Sequence, residues 1–400
     1  MIPLTRNLSF AFSVALIVAT SLTQAHTEDT PPTAMKMAMK PGPALAATAA
    51  FDAEGTLWAV RSEAGHILLQ SSQDAGSHWS PSVKINAEPE SIAAEGDGSP
   101  KLALGPQGEL YVTWTKPMTK PYTGEVRFAR SLDRGKTFSP PLTVHADRQE
   151  ITHRFDALAV TGSGQIVVAW IDKRDLEQTK KNATDYRGAA VYFAVSDDRG
   201  ATFRGDYRLA DHSCECCRIA LRVDGNHEVI AFWRHVFEPD IRDHALARFS
   251  TDGTVKEFRR ATFDEWHVDG CPHHGPAIAR DARGRLHAVW FTGAEGKAGV
   301  YYGRLIDGAV AAQRKVGAGT AAHADLAVTG RRVALAWKEF DGQRTQLFGE
   351  VSDDGGEHWR RIALAQADGP SDHPRLLVRG NDFHVLWNTE KEPMRVVALK

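Results

Sequence analysis

Soft-ligand side chains are concentrated in two short segments of this 400-residue chain. One reads Cys214-Glu215-Cys216-Cys217 and the other Cys271-Pro272-His273-His274, and together they hold all four cysteines. Thiolate sulfur and imidazole nitrogen suit soft or borderline ions, so copper, as Cu(I), is the favoured ion and zinc the alternative. Cys214, Cys216 and Cys217 lie too close together to pair comfortably, because a disulfide wants Cα atoms about 5.5 Å apart and a defined torsion. Cys271 can relieve only one of them. Four cysteines in an oxidising compartment also read as two disulfides, so a metal or redox centre and a pair of staples both stand. The neighbouring His273 and His274 have no use in a staple.

A repeat must position these segments. LGPQGELYVTW, VTGSGQIVVAW, VDGNHEVIAFW, RDARGRLHAVW, VTGRRVALAW and VRGNDFHVLW end at Trp114, Trp170, Trp233, Trp290, Trp337 and Trp387. Upstream, FDAEGTLWAVR keeps the register with Trp58 displaced. Each unit is an apolar strand, a glycine-bearing turn and a second apolar strand. Seven such units, 47 to 63 residues apart, predict an all-β propeller of four-stranded antiparallel blades, with six blades as the alternative. The last unit runs out at Lys400 with room for three strands, so a strand from before Ala44 is expected to complete it and close the ring.

In that architecture the residues just before each innermost strand crowd one mouth of the channel. Aligned on the repeat, they read DGSPKLAL, HRFDALAV, CCRIALRV, HHGPAIAR, AAHADLAV and SDHPRLLV. The two cysteine segments then face the mouth from adjacent blades. His153 takes the matching place in the preceding blade, and His323 and His373 stand one residue further along in the two following blades. The candidate metal ligands are therefore Cys214, Cys216, Cys217, Cys271, His273, His274, His153, His323 and His373. Arg154, Arg174 and Arg234, with Asp172 and Glu238, face the same mouth and suit a small anion or glycan, or else are solvated loop charge. Met35, Met37 and Met39, in the run MKMAMK, offer thioethers for Cu(I) or one face of the closing strand.

Four further segments share one pattern. SQDAGSHW, SLDRGKTF, SDDRGATF and SDDGGEHW, from Ser72, Ser131, Ser196 and Ser352, all fit S-x-D-x-G-x-x-[WF]. In such a turn Asp bonds its own backbone, Gly takes positive φ and the aromatic plugs the blade edge. These segments resemble the Asp-boxes of the sialidase-like (BNR repeat) propellers, and the resemblance covers residues 44–400. Those propellers are commonly six-bladed, so seven blades would be a departure. The resemblance implies that Asp74, Asp133, Asp198 and Asp354 are structural. It also implies exo-sialidase-type glycoside hydrolysis, with three Arg on a carboxylate, a Tyr nucleophile paired with Glu, and an Asp acid/base. The family's F-R-I-P string is absent, its nearest counterpart being Arg218-Ile219-Ala220. The last tyrosines, Tyr301 and Tyr302, fall in a third strand rather than a mouth loop. No catalytic residue is assigned. Two functions remain: a metal-binding propeller, carrier or metalloenzyme, and a glycoside hydrolase or glycan-binding module whose cysteines are staples.

Composition narrows the partners. With 42% hydrophobic residues and 48 basic against 50 acidic side chains, the chain is no disordered segment and has no general attraction to nucleic acid. Arg6, the apolar stretch Leu8 to Leu22, and Thr23 and Ala25 read as an export signal cut after Ala25. The expected layout is a signal peptide over 1–25, a linker over 26–43 and a propeller over 44–400. The mature protein would be a periplasmic or secreted monomer without a membrane span.

Overall fold

The computed structural model describes residues 44–182, 186–225, 227–268, 270 and 273–400. The leader, the linker with its Met run, the expected closing strand and Cys271 lie outside the described residues. Seven antiparallel sheets are arranged radially. Their innermost strands are Ala47–Phe51, Lys101–Leu104, His153–Val160, Ala220–Asp224, Ala277–Arg280, Ala321–Thr329 and Arg375–Arg379, and these define blades 1 to 7 in chain order. Blades 1 to 6 have four strands each, and blade 7 has three among the described residues. The first and last blades meet directly: Ala47 N–H donates to Asp372 Oδ2 (3.1 Å) and Asn388 Nδ2 to the Leu45 carbonyl (2.6 Å). No helix among the described residues is long and apolar enough to cross a membrane.

The recurrent tryptophans explain the stacking of blades. Trp114, Trp170, Trp233, Trp290, Trp337 and Trp387 are at most 1% exposed, and each ends or nearly ends the second strand of its blade. Trp170 of blade 3 packs among Tyr111 and Phe128 of blade 2, and the other five lie likewise in clusters shared with the preceding blade. A buried indole N–H needs an acceptor. Carboxylates supply it for Trp114 (Glu90, 2.6 Å), Trp170 (Asp172, 2.7 Å), Trp290 (Asp264, 2.8 Å) and Trp337 (Glu339, 2.7 Å).

The four S-x-D-x-G segments make one and the same turn between third and fourth strands. In blade 2 the Ser131 hydroxyl donates to Asp133 Oδ1 (2.7 Å), while Gly135 N–H donates to Ser131 Oγ (2.8 Å) and Thr137 N–H to Asp133 Oδ1 (2.9 Å). Equivalent Ser–Asp and Gly–Ser bonds recur at Ser72, Ser196 and Ser352. Gly135 has φ +78°, and a Cβ there would lie 2.6 Å from Leu69 Cδ2 of blade 1, so conformation and space both demand glycine.

Bonds from the Thr137 side chain and backbone, then from Ser131, pull the Asp133 carboxyl down to about 2. Because this lies below the ordinary value of about 3.9 for an unfolded chain, the carboxylate stabilises the turn fully above pH ~4. That contribution is lost as pH falls from about 4 towards 2. The urea midpoint of Asp133→Asn should therefore trail the parent at pH 5 and converge on it by pH 2. A gap that stays constant over this range would show that the charge is idle.

Candidate metal centre

The polypeptide crosses from the outer strand of blade 3, Arg204–Ser213, to the inner strand of blade 4 through the C-E-C-C segment. Cys214 N–H donates to the carbonyl of Arg234, the last residue of blade 4's second strand (3.1 Å), which pins the start of the bend. The bend turns all three thiols inward. Cys214, Cys216 and Cys217 are 1 to 3% exposed and their sulfurs lie within 4.8 Å of one another. The Cys214 and Cys216 sulfurs are 4.0 Å apart. Three sulfurs each about 2.3 Å from one trigonal ion would stand about 4.0 Å apart, so the thiols sit close to a coordinating arrangement.

Arginines surround them. Arg242 Nη1 is 4.0 Å from Cys214 Sγ, and Arg234 is a further charged neighbour of Cys214, as Arg154 is of Cys216. Hydrogen bonding from Cys216 and Cys217, then the charges of Arg234 and Arg242, hold the Cys214 thiol well below its ordinary range despite burial. Cys217 is pushed up, first by its hydrogen bond to Cys214 and also by burial. The surroundings of Cys214 thus favour the thiolate, the form in which sulfur ligates a metal.

The histidines separate into three situations. His274, His323 and His373, from consecutive blades 5, 6 and 7, form a stacked column with ring centroids 4.3 and 3.6 Å apart. His274 also stacks on Phe291 at 4.0 Å. Burial lowers the affinity of all three for a proton, His274 to about 4. His273 is exposed, with φ +52° and its nearest ring, Phe155, 6.4 Å away. His153 is fully buried between blades 2 and 3: its ring stacks on His145 at 3.9 Å, and Nε2 lies 3.6 Å from Asp172 and 3.7 Å from Asp147. Repeat register placed these residues at one level of the ring; among the described residues the structure gathers the three thiols into one group and three of the imidazoles into another.

The candidate anion-binding residues are mostly engaged with protein. Asp172 accepts from Trp170 Nε1 and from Arg174 Nη2 (both 2.7 Å), at the start of the helix Arg174–Asn182. Arg234 Nη2 donates to the carbonyls of His274 (3.1 Å) and Phe291 (2.8 Å), and its guanidinium lies 4.7 Å over the Trp266 ring. Exposed Glu238 pairs with Arg187.

Two residues of the aligned mouth segments, Asp97 of DGSPKLAL and Arg218 of CCRIALRV, prove to be partners, which the sequence did not signal. Asp97, in the 3-10 turn Gly96–Gly98 before blade 2, accepts from Arg218 Nη1 (3.1 Å) and from Gly275 N–H (2.8 Å). Arg218 Nε donates to the Pro276 carbonyl and Nη2 to the Ala324 carbonyl, both at 2.8 Å. One guanidinium on blade 4 is therefore tied to blades 2, 5 and 6. A Cβ on Gly275 would fall 2.1 Å from Arg218 Cγ, so the clamp closes only over glycine. Burial opposes ionisation of Asp97, but Arg218, then His373 and Arg375, outweigh it and hold the carboxyl well below the usual range. The nearest signal in the sequence was the Arg218-Ile219-Ala220 string, which gave no partner.

No family model matches the sequence, and no curated protein is similar to it. Solved structures do resemble the fold. The α-L-arabinofuranosidase Arb93A from Fusarium graminearum is similar at TM-score 0.52 and 13% identity, over 75% of this chain and 92% of that one. The α-L-arabinanase of Penicillium chrysogenum gives 0.50 and 16%, over 75% and 92%. The NanB sialidase of Streptococcus pneumoniae gives 0.45 and 9%, over 74% and 65%. The likeness is one of fold. At these identities the catalytic residues of those enzymes do not carry over to this chain.

Proposed function

We propose that this propeller binds a soft metal ion, Cu(I) before Zn(II), through Cys214, Cys216 and Cys217 at the channel mouth. The observation that carries the reading is the burial of three thiols within 4.8 Å of one another. The arginines bear on the choice of metal. Three thiolates around a monovalent ion keep a net negative charge, which Arg154, Arg234 and Arg242 offset, whereas a divalent ion leaves them less to offset. The signal-like stretch ending at Ala25 supports export, where such a protein would meet metal outside the cytoplasm. Metal analysis of protein isolated anaerobically under mild conditions tests the reading. About one copper per chain is the supporting result; a metal-free chain whose cysteines are all bridged would reduce the cluster to a staple.

A second reading, a glycoside hydrolase or glycan-binding module, is the one the comparisons lean towards. It is supported by the fold shared with the arabinan-degrading enzymes and by the arginines at the mouth. Hydrolysis of a nitrophenyl arabinofuranoside or a fluorogenic sialoside, lost when Arg234 is replaced, would favour it over the metal reading.

A further inference from the structure

We propose that Cys214 and Cys216 are a reversible dithiol/disulfide pair, and that their oxidation by a small peroxide closes the thiol site to metal. The inference rests on the metal reading of the same cluster and adds its regulation. The Cys214 and Cys216 sulfurs are 4.0 Å apart, so a bond of about 2.05 Å needs them to close by about 2 Å. Both residues lie in the bend between the strands Arg204–Ser213 and Ala220–Asp224, where side chains turn without breaking a ladder bond. Cys216 and Cys217 are the poorer pair. A trans peptide holds neighbouring Cα atoms about 3.8 Å apart, whereas a disulfide usually spans about 4.4 to 6.8 Å. The three sulfurs are 1 to 3% exposed, so the oxidant that reaches them is small.

One sulfur attacks hydrogen peroxide and breaks its O–O bond, becoming a sulfenic acid as one water leaves. The other sulfur then displaces the sulfenic oxygen as a second water, and the S–S bond forms. Two electrons pass from the thiols to the peroxide, and both thiol protons end in the waters. A resolving sulfur 4.0 Å away meets the sulfenic acid before a second peroxide carries it to the irreversible sulfinic stage. Disulfide sulfur is not thiolate, the form that ligates metal, so Cys217 alone remains of the three ligands. A ring closed over one intervening residue strains the bond, and strained disulfides are the labile ones. A small dithiol therefore restores the site and is itself oxidised to a disulfide.

The test uses the full chain carrying Cys271→Ser, reduced and metal-free, which leaves three of its four cysteines. It is treated with one equivalent of hydrogen peroxide and desalted. Free thiols should fall from three to one, with Cys217 the residue that an alkylating agent still labels after denaturation. Cu(I) affinity, read anaerobically against a chromogenic chelator, should drop at least about tenfold and return with dithiothreitol. Cys217→Ser should lose both of its remaining thiols to peroxide. If Cys271→Ser does not fold, the parent chain is treated in the same way and peptide mapping follows each cysteine. Three thiols that outlast peroxide, a label on Cys214 or Cys216, or Cu(I) affinity that survives oxidation would overturn the proposal. A reduced chain that takes no Cu(I) at all would instead sink the metal reading, and with it the regulation, whatever the thiol count says of the bond.

Discussion

Replacing Arg218 by leucine should cost the propeller about 3–5 kcal/mol, a large share of the roughly 5–15 kcal/mol that holds a domain folded. The side chain is 7% exposed and makes three bonds at once, to the Asp97 carboxylate and to the Pro276 and Ala324 carbonyls. Leucine fills part of the volume but leaves the Asp97 carboxylate, itself only 4% exposed, without its cation. Stranding a buried charge is what makes such a substitution expensive. Asp97→Asn added to Arg218→Leu should recover part of the loss, since the amide needs no counter-charge. Arg218→Lys should fall between, because an ammonium cannot reproduce the planar fork. Urea unfolding of the four chains checks the series. A loss under about 1 kcal/mol for Arg218→Leu would mean that the clamp does not hold the blades together.

Cys216→Ser combined with Cys217→Ser should abolish Cu(I) binding at the thiol site. Loss of a single outer partner of a ligand already weakens a metal site about 10–100-fold, and this pair removes two of the three sulfurs themselves. A hydroxyl is a hard ligand and does not replace a thiolate for Cu(I). The fold should survive, since the sulfurs belong to one of the seven buried clusters only, the one between blades 3 and 4, and Ser keeps nearly their volume there. Competition against a chromogenic Cu(I) chelator under anaerobic conditions measures the loss. Undiminished affinity in a folded double variant would show that the ion, if bound, sits elsewhere.

What could be read from the sequence was whatever is local or periodic. The Trp register fixes the seven blades because every blade repeats the same strand, turn and strand, and the S-x-D-x-G turns fall between third and fourth strands for the same reason. The thiols were legible because Cys214, Cys216 and Cys217 share one bend. Register gives a level in the ring, however, and not a direction. His153 occupies the matching position yet packs against His145, whereas His274, His323 and His373 stack on one another. The Asp97–Arg218 clamp was hidden although DGSPKLAL opens on Asp97 and CCRIALRV contains Arg218, because register gives each residue a level in the ring and no partner 121 residues away. The positive φ at Phe155, His273 and His323 was equally hidden, since local propensity disfavours it outside glycine.

The central claim is that one soft ion sits among three sulfurs. X-ray absorption on reduced protein loaded with one equivalent of Cu(I) addresses it most directly. The expected spectrum has a shell of sulfur alone at about 2.3 Å and survives desalting. A shell of nitrogen or oxygen, or copper that leaves with the buffer, would contradict it.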